Sequence, residues 1–170
     1  MFKIGSCIVY EKRGVCEVLD ICPYPNSPAD MAQLLYYKLC PVFAKNEVIY
    51  VPLKNEAFMR NVITSEEAKN YLKNFSSLEA SIYHGRQKND LTEHYESMVK
   101  GHNLKNMLSL IKEAYLKKSE ADAKNKKLNQ IDQRFLKHAE DFTYGELAVA
   151  LHSSPEKVKS YLCNEMAATY

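Results

Sequence analysis

A chain of 170 residues can form one domain of ordinary size or two small ones, and its formal net charge of +2 is too small to indicate a nucleic-acid partner. The hydrophobic fraction of 46% and the charged fraction of 26% are ordinary for a soluble globular protein. The N-terminus has no secretory h-region and no apolar run approaches the length of a membrane span, so we expect a cytoplasmic protein with no membrane partner.

The first third of the chain has the pattern of a small antiparallel sheet. Short runs rich in β-branched and aromatic residues predict strands over residues 7–10, 14–21, 34–40 and 48–51. The three prolines after the second run cannot continue a strand ladder, so they predict a loop. Several short strands in so short a stretch indicate a small barrel or a strongly bent sheet.

After Pro52 the hydrophobic period changes from that of strands to that of helices. The capping box Thr64-x-x-Glu67 predicts the start of a first helix, whose apolar stripe extends to Phe75. Apolar residues at helical spacing predict further helices within residues 91–98, 104–115 and 128–139.

Two more start signals lie near the C-terminus. A second capping box, Thr143-x-x-Glu146, predicts a separate helix over residues 147–151, and Ser154 before Pro155 predicts the start of a last helix. The polar stretch 117–127 is interpreted as an exposed helix end or a loop. The predicted class is therefore α+β, with a β-domain over residues 1–62, a helix and linker over 63–76, and a helical domain over 77–170.

The five cysteines and the glycine motifs give little indication of chemistry. The cysteines are odd in number and form no C-x-x-C pair or zinc-type grouping with histidine, so we expect free thiols, no metal and no cofactor. No P-loop, G-x-G-x-x-G or H-E-x-x-H motif occurs. We therefore expect a protein that is not an enzyme, with no catalytic residues and no small-molecule substrate.

Positive charge is concentrated in one segment. Residues 86–137 hold twelve Lys/Arg against seven Asp/Glu, an excess of +5. A local basic stripe is what contact with phosphates requires, although solvated helix faces give the same pattern. Lys105 and Lys112 are seven residues apart and so lie on nearly one face of a helix.

An ordered set of short motifs resembles the CarD family of bacterial-type transcription regulators. The motifs are Phe2-Lys3-Ile4-Gly5, Ile8-Val9-Tyr10, Gly14-Val15, Tyr37-Lys38-Leu39, Val51-Pro52 with Asn55, Arg60-Asn61-Val62-Ile63 before Ser65-Glu66-Glu67, and Glu146-Leu147-Ala148-x-Ala150-Leu151. The resemblance spans nearly the whole chain, and its weight comes from the order and spacing of the motifs together.

The resemblance implies a Tudor-like β-module, similar to the polymerase-interacting domain of the transcription-repair coupling factor, that binds the RNA polymerase β subunit. It also implies a helical domain that contacts promoter DNA at the upstream edge of the melted bubble. Because an exposed strand can pair with a partner strand, the expected polymerase contacts are Tyr24, Ile49, Tyr50, Val51 and Pro52.

One family feature is missing, because the chain contains no Trp. The family Trp, which wedges into the minor groove, would fall near Gln87, and Tyr83 one helical turn earlier is the aromatic residue that could replace it. The family's polymerase-binding Arg appears as Tyr50. The expected DNA contacts, weak and tolerant of sequence, are Tyr83, Arg86, Gln87, Lys88, Lys105 and Lys112.

Two other functions stay open. Residues 146–162 have the apolar spacing of a helix-turn-helix DNA-binding module, but residues 138–170 have a net charge of −3 and its second helix offers only Lys157 and Lys159. The third possibility is an adaptor that binds polymerase and has lost contact with DNA.

Overall fold

The computed structural model describes residues 1–11, 13–25, 28, 34–44, 46–85 and 87–169, except for the side chains of residues 56–58, 88 and 169. The chain divides into two compact units, Met1–Thr64 and Ser65–Tyr170. The described strands all lie in the first unit and the described α-helices in the second, so the predicted α+β class is confirmed.

The first unit is an antiparallel sheet of five strands in the order β4-β3-β2-β1-β5. The strands are β1 (Cys7–Tyr10), β2 (Gly14–Pro23), β3 (Leu35–Pro41), β4 (Ile49–Pro52) and β5 (Met59–Asn61), and a 3-10 helix (Leu53–Phe58) joins the last two. Among the described residues β4 and β5 are the two edges. The first unit is therefore an open antiparallel sheet rather than a closed barrel.

Alternation along the strands buries one face of the sheet. On β3, Tyr37 and Leu39 are fully buried, whereas Tyr36, whose side chain points to the other face of the sheet, is partly exposed. Val51 of β4, which is the register partner of Tyr37, is buried as well. The same core cluster includes Ile8, Tyr10, Cys16, Val18 and Met59.

Two features shape the first hairpin and its neighbour. Gly14 has a φ of 73°, which only glycine adopts easily, and it opens β2 directly after the turn from β1. The edge strand β5 pairs with β1, with Arg60 opposite Val9. The sequence does not predict β5, because a strand of three residues is too short to show an alternating pattern.

The described part of the second unit contains five α-helices. They are α1 (Ser65–Lys73), α2 (Lys88–Val99), α3 (Leu104–Ala123), α4 (Gln130–Ala150) and α5 (Pro155–Thr169), with a 3-10 turn (Lys100–His102) between α2 and α3. Helix α4 packs on both α3 and α5. Each of these three helices contributes buried apolar residues, among them Leu108, Leu147 and Leu162. No described helix combines the length and hydropathy needed to cross a membrane.

Side-chain oxygens cap the starts of α3, α4 and α5. The Oδ1 atom of Asn103 accepts a hydrogen bond from the backbone N–H of Asn106 at 3.2 Å, and Oδ1 of Asn129 accepts one from Asp132 at 2.8 Å. At the start of α5, the Ser154 hydroxyl accepts from the N–H of Lys157 at 3.4 Å. The start of the last helix, predicted from Ser154 and Pro155, is therefore confirmed.

Helix α4 runs without a break through Thr143, which corrects the prediction of a separate helix opening there. Thr143 is fully buried in mid-helix, and Glu146 is buried one turn later. Buried residues lie on both sides of this point at helical spacing, from Ala139 to Leu147. Ending the helix at Thr143 would therefore break a continuous packed face, and the Thr-x-x-Glu pattern has no capping role here.

Candidate functional site

Strand β4 is an edge of the sheet and presents a backbone that can pair with another chain. It pairs with β3 in antiparallel register, with Tyr50 opposite Lys38 and Pro52 opposite Tyr36. No described strand pairs with its other side. Pro52 has no N–H and is tolerated because edge strands need not donate on both sides. A free edge of this kind accepts an added strand from a partner.

Three tyrosines from three different strand ends form a tyrosine cluster on the exposed face beside β4. The Tyr24 ring lies 5.2 Å from that of Tyr50 and 5.7 Å from that of Tyr36, between ring centroids. Tyr24 is 51% exposed. The predicted contacts Tyr24 and Tyr50 are thus neighbours, and Tyr36 joins them although the sequence did not single it out.

The other predicted polymerase contacts, Ile49, Val51 and Pro52, differ from the tyrosines in how far their side chains are exposed. The Val51 side chain is buried in the core of the sheet, and Ile49 packs against the same core. The side chains of both residues are therefore turned to the core rather than to a partner at the edge. Pro52 is half-buried and lies where β4 ends.

A cleft of about 340 Å³ continues from the end of β4. Its walls are Leu34, Leu35, Tyr36, Pro52, Leu53 and Lys54, and we call it the β3–β4 cleft. Leu34 and Leu35 are 54% and 44% exposed. The cleft and the tyrosine cluster share Tyr36, so they form one continuous surface at this edge of the sheet.

In the second unit, Tyr83 is held in a defined position. Its ring stacks on the ring of His94, with 4.3 Å between centroids and 16° between planes. Its backbone N–H donates to Oε1 of Glu113 at 3.0 Å, and Oε2 of Glu113 lies 2.9 Å from Nε2 of His94. One buried carboxylate therefore fixes both the main chain of Tyr83 and the ring beneath it.

The same carboxylate belongs to a buried polar network around Lys117. The Lys117 ammonium lies 3.1 Å from Glu113 and 3.2 Å from Asp132, and it donates to the Tyr95 hydroxyl at 2.9 Å. The Tyr95 hydroxyl donates to Asp132 at 2.6 Å, and burial together with this bond raises the pKa of Tyr95 well above its ordinary value. Each charge has an opposite partner, so the network is structural support beneath Tyr83.

The burial of Lys117 corrects the interpretation of residues 117–127 as an exposed helix end or a loop. Helix α3 continues to Ala123, and Lys117 faces α4 with 7% of its surface exposed. A lysine pattern normally indicates a solvated face. Here the two acids on α3 and α4 provide the partners that make burial of the ammonium possible.

A cleft of about 320 Å³ lies beside Tyr83. Its lining includes Tyr83 and His84, together with Lys124, Lys126 and Lys127 from the connection between α3 and α4; we call it the lysine cleft. The three lysines are exposed. Lys117, Glu120 and Asp132 also line the cleft, so four lysines against two acids leave an excess of positive charge there.

The predicted DNA contacts divide into several groups. Lys105 and Gln87 are both exposed. Gln87 is the N-cap residue of α2, and its backbone N–H donates to the Asp90 carboxylate at 3.3 Å. Arg86 and the side chain of Lys88 lie outside the described residues. The prediction did not include the three lysines of the lysine cleft, although their grouping in the sequence was visible.

Lys112 is not available for phosphates, which corrects the prediction for that residue. Its ammonium is buried and donates to the carbonyl oxygens of Ser76 and Leu78 at 2.7 and 2.8 Å. Loss of hydration lowers the pKa of Lys112. Lys105 and Lys112 are spaced to share a side of α3, but the ammonium of Lys112 is bonded to the backbone of Ser76 and Leu78, whereas Lys105 is exposed.

The geometry also bears on the helix-turn-helix alternative. Residues 147–150 form the last turn of the long helix α4, with Leu151 as its C-cap, rather than a separate first helix. Lys159, one of the two lysines available to the proposed second helix, lies 3.5 Å from Glu140 of α4. These residues pack α5 against α4 and leave little positive charge for DNA.

The first unit matches a known protein family. Residues 2–63 match the family model described as the CarD-like/TRCF RID domain. The matched range contains the whole five-stranded sheet and ends before α1, so it coincides with the unit that carries the β4 edge and the tyrosine cluster. A search of curated proteins finds no match to the chain.

Proposed function

Residues 2–63 form a CarD-like polymerase-interacting domain, and from this premise we propose that the chain is a transcription regulator, not an enzyme, that binds the β subunit of RNA polymerase through the free edge of β4. The observation that carries the proposal is that the family match coincides with a sheet whose edge strand is bordered by exposed aromatic residues. Strand addition at such an edge is an established way for a sheet to bind an extended segment.

Backbone pairing along β4 cannot supply the whole affinity. The strand has four residues, and each net hydrogen bond contributes only ~0.5–1.5 kcal/mol. A micromolar complex needs about 8 kcal/mol after the entropic cost of association has been overcome. Side chains must therefore add to the edge, and the tyrosine cluster offers large, rigid rings directly beside it.

The second part of the proposal concerns promoter DNA. Three exposed lysines line the lysine cleft, and the Tyr83 ring stands at its side on a support of His94 and Glu113. Lysines contact phosphates as point charges and read no sequence, so binding should be weak and tolerant of sequence. Tyr83 would take the place of the aromatic wedge that the family supplies with Trp.

A pull-down with separately purified polymerase subunits tests the first part. The full chain should capture the β subunit and no other subunit. Capture of a different subunit, or of none, would refute the proposed partner.

The adaptor alternative shares the polymerase contact with the proposed function and differs from it only in lacking contact with promoter DNA. If the chain binds the polymerase–promoter complex no more tightly than it binds polymerase, DNA contact is refuted and the adaptor remains. Tight binding to free duplex DNA without polymerase would instead favour the helix-turn-helix alternative.

A further inference from the structure

The β3–β4 cleft lies at the end of β4, next to the edge at which a strand could be added. Pairing along β4 ends at Pro52, and Pro52 itself forms part of the cleft wall. An added strand advances ~3.3 Å per residue, so the residues just beyond the paired segment reach the level of the cleft, where their side chains can extend toward it. The cleft is thus continuous with the edge that the polymerase-interacting domain exposes.

The walls of the cleft are apolar and partly exposed. Leu34 and Leu35 are among the exposed large apolar side chains of the first unit, and half-buried Leu53 joins the cleft to the core of the sheet. Exposed apolar residues grouped around a concavity mark a place where another molecule is bound. The volume of about 340 Å³ accommodates an aliphatic or aromatic side chain.

One charged residue lines this cleft. Lys54 is exposed and follows Leu53 directly, so its ammonium can reach a residue next to the one that fills the cleft. A carboxylate in that position would pair with it, whereas a basic residue would be repelled.

Building on the proposed function, we infer that the β3–β4 cleft is a specificity pocket for the polymerase segment. It receives an aliphatic or aromatic side chain from the extended segment paired with β4, and Lys54 selects an acidic residue beside that side chain. Backbone pairing then determines the register, while the pocket determines which segment is bound.

The test compares pocket variants of the full chain with matched controls, using core RNA polymerase from the encoding organism as the probe. Leu35→Asp should weaken binding roughly tenfold or more, because the pocket then rejects an apolar side chain. Phe43→Asp is the control, because Phe43 is 52% exposed and lies outside the cleft lining. It should bind within about twofold of wild type, a difference well below 1 kcal/mol.

Charge is tested in the same assay. Lys54→Glu should weaken binding and reduce its sensitivity to salt, whereas Lys3→Glu, at another exposed lysine of this unit, should change neither. Thermal melts of all four variants establish that each is folded.

The inference is overturned if Leu35→Asp binds as tightly as Phe43→Asp, or if both variants weaken binding equally. It is also overturned if the two lysine variants behave alike. In these cases the wild type still binds polymerase, so the proposed function stands. Failure of the wild type itself to bind would refute the proposed function and this inference with it.

Discussion

The rings of Tyr83 and His94 are stacked, with centroids 4.3 Å apart and planes inclined by 16°. Beneath them, Glu113 is almost fully buried and contacts both residues, through the Tyr83 N–H and through His94 Nε2. The aromatic residue proposed to contact DNA is therefore not a mobile surface side chain. Its position depends on a carboxylate from α3 and an imidazole from α2.

Replacing His94 by Ala should reduce both stability and DNA contact. The substitution removes the stacked ring and leaves buried Glu113 with one partner fewer, which costs ~1–3 kcal/mol of unfolding free energy. His84→Ala, at the exposed neighbour of Tyr83, should cost less than ~0.5 kcal/mol. Urea denaturation measures both values, and equal stability of the two variants would contradict the supporting role of His94.

The packing of α3 gives a prediction about the core. Leu108 and Ile111 are 1% and 0% exposed, so Leu108→Ala and Ile111→Ala should each lower the unfolding free energy by ~2–5 kcal/mol. Cys163→Ser should be tolerated better, because this thiol is only half-buried. Thermal melts in which Leu108→Ala matches wild type would show that the assigned face of α3 is wrong.

His138 predicts how stability depends on pH. Burial lowers the pKa of His138 below its ordinary value of 6.5, with the nearby Asp141 carboxylate opposing the shift, and the rings of His102 and Phe142 cover it. The unfolded chain therefore binds a proton at a higher pH than the folded chain does. The contribution to stability is complete above about pH 6.5 and is lost as the pH falls toward the lowered folded pKa.

Unfolding free energies measured between pH 7.5 and 5 check this sign. His138→Gln should flatten the decline of stability toward low pH, and His84→Gln, at an exposed histidine, should leave the decline unchanged. If the unfolding free energy of wild type and of His138→Gln falls with the same slope, the pH dependence comes from groups other than His138.

The lysine cleft predicts the salt dependence of DNA binding. Replacing Lys124 and Lys127 by Gln should weaken binding to promoter DNA uniformly across sequences. Each lost phosphate contact should lower the slope of log K against log salt by ~0.9. The matched control replaces Lys69 and Lys73 of α1 by Gln, which changes the net charge by the same amount as the cleft variant does. Equal slopes for the two double variants would indicate that the cleft does not bind the phosphates.

Local patterns predicted the four longer strands and the start of α5, because alternation, helical period and caps are properties of neighbouring residues. The tyrosine cluster is different. Tyr24, Tyr36 and Tyr50 are far apart in sequence and meet because Tyr36 pairs with Cys22 and Pro52 across the sheet. That register is a long-range property, so the strand patterns alone could not bring the three rings together.

The buried lysines show a second limit. The sequence predicts that Lys112 and Lys117 are solvated, because lysine is rarely buried. Their burial depends on partners distant in sequence, namely the carbonyl oxygens of Ser76 and Leu78 for one and Asp132 for the other. The helical period correctly places residues on a face, but it contains no information on which segment covers that face.

The central claim is that the chain binds the RNA polymerase β subunit through β4. Its most direct test is the affinity of the full chain for the purified β subunit, compared among wild type, Tyr50→Asp and Tyr161→Asp. Tyr161 is 42% exposed on α5 and serves as the control. We predict that wild type and Tyr161→Asp bind alike, and that Tyr50→Asp binds roughly tenfold or more weakly because a charge opposes strand addition at the edge. Equal affinity of all three proteins, or no binding by wild type, would contradict the claim.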